Sequence, residues 1–196
     1  MKIHSFIIIS NLSILFFSCT IEQQGCEIGF TEIELICYNE NDLEVLQAFI
    51  DNSSETIPME WDTNANGSIE HLELGVQEWD ENGRLTLLWI YDYTINNDYK
   101  MSVTIPENIG NLTQLKKMNL GINQITGEIP ESIGKLENLE FLYLYHNQLS
   151  GIIPNSICNI FPNLSNFWIQ YNYFCPPYPD CIPKYEINPQ NTSQCP

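Results

Sequence analysis

Residues Leu115–Leu136 read LKKMNLGINQITGEIPESIGKL, and Leu139–Ile160 read LEFLYLYHNQLSGIIPNSICNI. Leu115, Leu120, Asn123, Gly127, Ile129, Pro130 and Ile133 recur, each 24 positions later, as Leu139, Leu144, Asn147, Gly151, Ile153, Pro154 and Ile157. A fixed period of this size marks one structural unit repeated along the chain. Such a unit cannot bury its apolar edge alone, so it stacks on its neighbours into a solenoid with one long curved surface. The expected fold class is therefore an α/β solenoid of about four coils.

Spacing assigns roles within each coil. Met118 and Leu120, like Leu142 and Leu144, stand two apart and so share one side of a short strand, the core side. Asn123 and Asn147 follow where the strand turns away, and an amide there can pair backbone groups that would otherwise be buried alone. Gly127 and Gly151 permit a tight backbone, and Ile129–Pro130 and Ile153–Pro154 set an extended approach to a helical turn.

The pattern continues imperfectly on both sides. Ile105, Pro106, Ile109 and Leu112 form the second half of an earlier unit, whose first half is Leu85, Leu88 and Ile90. That half lies six residues too early, which implies an insertion around Asn96–Thr104, and Tyr93 stands at the ladder position. Downstream, Leu164, Phe167, Ile169 and Asn172 repeat the first half, displaced by one residue at Phe161–Pro162. Strands are expected near 86–90, 117–121, 141–145 and 166–170.

The chain opens with Lys2 and His4 and an apolar run, Ile7 to Phe17, of about 11 residues. This length suits a signal peptide over residues 1–18 better than a membrane span. Leu15-Phe16-Phe17-Ser18-Cys19 resembles a loose bacterial lipobox, which implies lipidation at Cys19; the alternative is an ordinary signal peptide with a nearby cysteine. Setting Cys19 aside leaves six of the seven cysteines, an even set in an exported chain where disulfides persist. Cys26 and Cys37 form the natural N-terminal pair. Three connectivities are open to Cys158, Cys175, Cys181 and Cys195. The separation of nearly one coil between Cys158 and Cys181 favours Cys158–Cys181 with Cys175–Cys195. Their spacings fit no common zinc pattern.

Asp62-Thr63-Asn64-Ala65-Asn66-Gly67-Ser68-Ile69-Glu70-His71-Leu72-Glu73 resembles a calcium loop of the EF-hand kind. The resemblance implies Ca2+ held structurally by Asp62, Asn64, Asn66, Ser68, Glu70 and Glu73. Pro58 and Gly75 depart from the helices that flank such loops, and the alternative is a polar loop that binds nothing. Asp42 to Ile50 places Leu43, Val45, Leu46, Phe49 and Ile50 at helical spacing behind an Asp cap, a helix covering the first coil. Glu81–Gly83 reads as a hairpin turn into the first repeat strand.

Together these features resemble the plant-type leucine-rich repeat proteins, with the form LxxLxxLxLxxNxLxGxIPxxIGxL. They are similar to bacterial surface lipoproteins that carry this repeat between a calcium-like loop and a Cys/Pro-rich cap. The likeness spans roughly residues 40 to 195. The implied organisation is a signal at 1–18; a lipid anchor, tether and N-terminal cap at 19–83, with the loop at 62–73; repeats at 84–174; and a C-terminal cap at 175–196. The implied location is the outer surface or periplasm, with the membrane touched only through the lipid.

The repeat type serves many unrelated partners, so function must be read from exposed positions. Residues alternating with the core leucines are Leu87, Trp89, Tyr91 and Asp92; Lys117, Asn119, Gly121 and Ile122; Phe141, Tyr143, Tyr145 and His146; and Asn166, Trp168, Gln170 and Tyr171. Seven of these sixteen are aromatic, more than strand propensity alone favours on a wetted face, and such residues dominate binding hot spots. The candidate ligand surface is Trp89, Tyr91, Phe141, Tyr143, Tyr145, His146, Trp168, Gln170 and Tyr171. It suits a protein or peptide; a glycan, or a spacer role without a discrete ligand, is the alternative.

Twenty-five acidic against seven basic residues give a net charge of −18, which repels nucleic acid. Of the three histidines, only His146 falls on the concave face, and no nucleophile–base motif, phosphate loop or HExxH accompanies it. The expectation is a monomeric, non-enzymatic binding module.

Overall fold

The computed structural model describes residues 26–33, 36–53, 62, 65, 68–90 and 100–196. The N-terminal cap begins with a hairpin of β1 (Phe30–Ile33) and β2 (Ile36–Asn39), followed by helix α1 (Glu40–Asn52). Then come β3 (Val76–Trp79) and β4 (Leu85–Trp89), an antiparallel pair around the expected 81–83 turn. The repeats add β5 (Lys117–Asn119), β6 (Thr126–Gly127), β7 (Phe141–Tyr143), β8 (Gln148–Ile152), β9 (Asn166–Trp168) and β10 (Tyr173–Cys175). Short helices α2 (Ile157–Ile160) and α3 (Lys184–Ile187) lie among and after them.

Four coils result, as the period requires. Strands β4, β5, β7 and β9 run parallel in one sheet, with β3 closing its N-terminal edge in the order β3-β4-β5-β7-β9. A second sheet, ordered β10-β8-β6, lies beyond the turn of each coil. Helical turns at Ile109–Asn111, Glu131–Lys135 and Ile157–Asn163 carry the chain back. The register stacks Leu88, Met118, Leu142 and Phe167 in one row, all buried. Each such side chain contributes about 1.5–3 kcal/mol by leaving water.

The extra residue before the fourth coil is absorbed in the return turn. There Phe161 joins the core edge-on to Phe167, with ring centroids 5.4 Å apart. The inserted segment of the first coil ends earlier than the spacing implied. Met101 and Val103 are buried in the core, and Thr104 bridges to Thr126, so residues 101–104 belong to the second sheet's ladder. Repeat geometry resumes as soon as an apolar residue alternation, Met101-Val103-Ile105, is available. Tyr93 lies outside the described residues.

Buried amides tie the coils. Asn147 Nδ2 donates to the Leu144 carbonyl of its own coil (3.0 Å) and to the Leu120 carbonyl of the coil before (2.8 Å); its Oδ1 accepts the Ile125 N–H (2.9 Å). Asn123 does the same toward Leu120, Ile90 and Met101, and Asn172 toward Ile169, Leu144 and Leu149.

The caps close both ends. Helix α1 is capped by Asn39, whose side chain accepts the Asp42 N–H (3.3 Å). Asp42 is therefore not the cap: it sits one turn in, fully buried, where it serves another purpose. Its carboxylate takes Arg84 in a bidentate pair, 2.9 Å to both Nε and Nη2, and accepts the Leu85 N–H (2.8 Å). This one carboxylate docks the cap helix on the first repeat strand. Gly83, at φ +66°, presses its turn against β2, where any Cβ would collide with the Cys37 carbonyl. Disulfides Cys26–Cys37, Cys158–Cys181 and Cys175–Cys195 form as the spacing favoured. Such bonds place the chain in an oxidising, exported compartment.

Three outcomes follow in urea or thermal unfolding. Arg84→Met leaves Asp42 buried without its counter-ion and should cost about 3–5 kcal/mol; an unchanged midpoint would dismiss the pair as the dock. Asn147→Ala should cost about 1–3 kcal/mol for each backbone group left unpaired, whereas Asn138→Ala, whose amide bond is exposed, should cost far less. Burial lowers the pKa of His71 below the ordinary 6.5, against the opposing pull of Glu70 and Asp51. A depressed histidine favours the fold while neutral, so its contribution is present above pH 6.5 and fades as pH falls through the lowered value. His71→Gln should accordingly flatten the acid side of the melting-temperature profile.

Candidate ligand surface

The concave face is built by rows of the five-stranded sheet. Leu87, Lys117, Phe141 and Asn166 share one row; Trp89, Asn119, Tyr143 and Trp168 share the next. Adjacent parallel strands lie about 4.8 Å apart, so rings in neighbouring coils must touch. Tyr143 packs on Trp168 with centroids 4.6 Å apart and planes tilted by 33°. Tyr145 meets Trp168 edge-on at 5.7 Å and Tyr143 at 6.5 Å; Phe141 meets Tyr143 at 6.4 Å. Gly121 lies under Tyr145, where a Cβ would collide with the ring. A glycine in the second coil thus lets the third coil's tyrosine lie down over the sheet.

One step past each strand the backbone turns left-handed. Ile122, His146 and Tyr171 have φ of 56°, 53° and 61°, each immediately before a ladder asparagine. Non-glycine residues hold this conformation only where surrounding bonds enforce it. Here the buried asparagines do so, and backbone bonds from Ile122 to Tyr145 and from His146 to Gln170 link successive coils. The side chains of His146 and Tyr171 leave the sheet side by side, and their rings stack flat, 4.2 Å apart with 6° between planes. Tyr145 meets His146 edge-on at 5.7 Å, which joins this pair to the rest.

Six of the nine residues read as ligand-binding, Phe141, Tyr143, Tyr145, His146, Trp168 and Tyr171, therefore form one continuous cluster. His146, Trp168 and Tyr171 are its open parts, the last two 45% and 53% exposed. Desolvation by the neighbouring rings raises the Tyr143 pKa, so its hydroxyl stays a neutral donor. Trp89 holds its place in the row, but its indole N–H is buried and finds no acceptor among the described residues. Gln170 instead ties the C-terminal cap, donating to the Glu186 carbonyl (2.8 Å). Leu87 shares the face by register yet is buried. Tyr91 and Asp92 lie outside the described residues.

The face is nearly free of formal charge. Among its described positions only Lys117 is charged, and its ammonium sits 5.6 Å over the Phe141 ring. No acidic residue stands among those described positions.

A contribution invisible to the repeat pattern comes from Gln190. Its Nε2 donates to the Ile187 carbonyl three residues back (2.6 Å) and to the Ile169 carbonyl of the last coil (2.9 Å). These match the two bonds that each ladder asparagine donates, to the carbonyl three residues back and to the coil before, so the cap imitates a fifth coil. Nothing in the spacing pointed to it, because it is a different residue outside the period.

Of the calcium-like loop, Asp62, Ser68, Glu70 and Glu73 are described; Asn64 and Asn66 are not. Glu73 Oε2 accepts the Glu70 N–H (3.0 Å) in a capping box on the turn His71–Glu73. Among the described residues no three His, Cys, Asp or Glu side chains stand together as a metal cluster. No helix among them is long and apolar enough to cross a membrane.

The Leucine Rich Repeat family profile matches residues 114–136 and 138–160. No curated protein matches the chain. Among solved structures, the PEPR1–AtPEP1 complex is 21% identical over 71% of this chain and 22% of its own, with a TM-score of 0.51. The ectodomain of the receptor kinase GASSHO1/SCHENGEN3 from Arabidopsis thaliana, in complex with CASPARIAN STRIP INTEGRITY FACTOR 2, is 23% identical over 66% and 15%, at 0.50. A plant ice-binding protein is 25% identical over 70% and 42%, also at 0.50. The chain spans less than half the length of each. What these proteins share is the scaffold, since one is named in complex with an integrity factor and another is named as ice-binding. The matched segments are the second and third turns of a single solenoid, and by them the chain is a leucine-rich repeat protein.

Proposed function

We propose that this is a non-enzymatic, exported binding module that takes a protein or peptide on its concave face. The observation that carries the reading is the continuous ring cluster from Phe141 to Tyr171, open to solvent at His146, Trp168 and Tyr171. A soluble chain gains nothing by exposing such a patch, and large rigid rings give contact area at low entropic cost. The near absence of charge among the described positions of the face, in a chain of net charge −18, suits a ligand read through its apolar groups and hydrogen bonds. A solved structure of the same fold named as a complex with a second molecule lends support. A monomer needs no other surface for this task.

Two further parts of the reading rest on sequence. Cys19, outside the described residues, would carry a lipid that tethers residues 19–83 to the membrane. Asp62, Asn64, Asn66, Ser68, Glu70 and Glu73 would hold Ca2+ that braces the N-terminal cap against the first coil. The donor set is all oxygen, as that ion requires.

A random peptide library displayed on phage and selected on the protein should yield binders. Trp168→Ala and Tyr143→Ala should each weaken them on the order of 30-fold or more, the ~2 kcal/mol of a hot spot, with circular dichroism unchanged. Selection on a glycan array instead would transfer the face to sugars, and binding indifferent to both substitutions would remove the concave face from the account. For calcium, a chelator should lower the melting temperature. Glu73→Gln, which keeps an acceptor for the Glu70 N–H, should erase that response; a melting temperature indifferent to chelator would end the claim. Mass spectrometry of the exported protein should find Cys19 at the new N-terminus with acyl chains attached.

A further inference from the structure

Where the last coil meets the C-terminal cap, a cleft of about 320 Å³ opens beside the ring cluster. Tyr171 and Tyr173 wall it from the coil, Pro189, Gln190 and Asn191 from the cap, and ladder asparagines 147 and 172 lie at its back. Its size is at the lower end of small-molecule sites, about 300–1,000 Å³. That is room for a side chain or a small ring system.

The cleft is held open by its own walls. The Tyr171 N–H donates to the Pro189 carbonyl (2.7 Å), and the Asn191 N–H donates to the Asn172 carbonyl (2.8 Å). Gln190 is fixed from three directions, by the carbonyls of Ile169 and Ile187 and by the Asn172 N–H. The ladder amides at the back are likewise engaged with backbone. The Gln190 and ladder amides are therefore already occupied, and the Asn191 Oδ1 accepts the Ser193 N–H (3.1 Å). What the walls still offer is two tyrosine rings with their hydroxyls, a proline and the Asn191 side-chain N–H groups: apolar surface with neutral polar groups and no charged side chain among the lining residues. Tyr171 belongs to both places: it lines the cleft and stacks on His146, so the cleft continues the concave cluster.

We infer that this cleft is an anchor subsite for one uncharged apolar side chain, aromatic or branched aliphatic, of a peptide lying across Trp168 and Tyr143. The inference rests on the peptide reading above. An acidic or basic side chain would be desolvated there against rings and engaged amides with no counter-charge. An apolar one loses only water, and walls fixed before binding lower the ordering cost.

The test uses the same displayed library on the full exported chain and on two variants. Asn191→Trp places an indole at the mouth of the cleft and leaves the Asn191–Asn172 backbone bond available; Asn191→Ala removes the side chain and leaves the mouth open. Circular dichroism and melting temperature report that both fold. Peptides selected on the unaltered protein should share an aromatic or aliphatic residue at one fixed position. Replacing it with Ala, Asp or Lys should each weaken binding at least tenfold. Asn191→Trp should weaken the parent peptide by a similar factor but leave the Ala-substituted peptide unaffected, and Asn191→Ala should bind the parent normally. Peptides that need Trp168 yet show no such position, or that bind Asn191→Trp equally well, would overturn the subsite and leave the concave-face reading intact. A charged residue at the fixed position would overturn it too. A library that yields no binder, or binders indifferent to Trp168→Ala, would bring down the concave-face reading and the subsite with it.

Discussion

The whole molecule depends on one constraint: each time the chain leaves the concave sheet it must turn sharply inside protein, where backbone groups have no water. A buried unpaired peptide group costs about 1–3 kcal/mol, and every coil strands several. The asparagine at 123, 147 and 172 answers with at least three bonds at once, two of them to the coil before and the rest to its own. Because the partners lie in different coils, the same amide that satisfies a turn also sets the stacking distance. The period of 24 or 25 residues from Asn123 to Asn147 to Asn172 follows from that double duty.

A ladder of this kind has an open last rung, and the two ends solve different problems. At the C-terminus, the Ile169 carbonyl would keep only its own coil's Asn172 as a side-chain donor, and Gln190 supplies the second amide from a segment with no repeat at all, while its Oε1 accepts the Asn172 N–H. One added methylene lets a side chain approaching from the disulfide-bound cap reach the same carbonyl an asparagine would reach from within a coil. At the N-terminus the first strand has an antiparallel partner and a helix instead. Asp42 there holds both the Leu85 N–H and Arg84, a charged counterpart of the amide ladder.

What could be read without coordinates divides along the same lines. The coils, their strands and the disulfide pairing were legible because period and alternation are consequences of backbone geometry, and Cys158 to Cys181 spans nearly one turn of it. The ring cluster was legible because residues alternating with Leu142 and Leu144 must share a face. Asp42 was misread as a helix cap: Asp is a good cap, and its true partner lies 42 residues away with no local signal. Gln190 stayed hidden because it belongs to no period. The left-handed turn at positions 122, 146 and 171 was equally silent, since isoleucine, histidine and tyrosine have no common preference for it. Leu87 shows the limit of alternation, which gives the side of a strand but not whether neighbours then cover it.

The left-handed turn connects the constraint to recognition. An asparagine buried at position 147 or 172 forces the residue before it to turn, and whatever side chain stands there is thrown outward at the rim of the concave sheet. In the second coil that residue is Ile122, in the third His146 and in the fourth Tyr171. Two consecutive rims carry flat rings one strand spacing apart, so they stack, and the stack extends the Trp168–Tyr143 patch around the edge of the sheet toward the cap. The Tyr171 N–H is then taken by the Pro189 carbonyl, so the bond that closes the solenoid also stations a wall of the cleft beside the exposed ring. Surface and cleft are thus by-products of how the last coils are satisfied, which is why rings can be exposed there without loosening the fold that holds them.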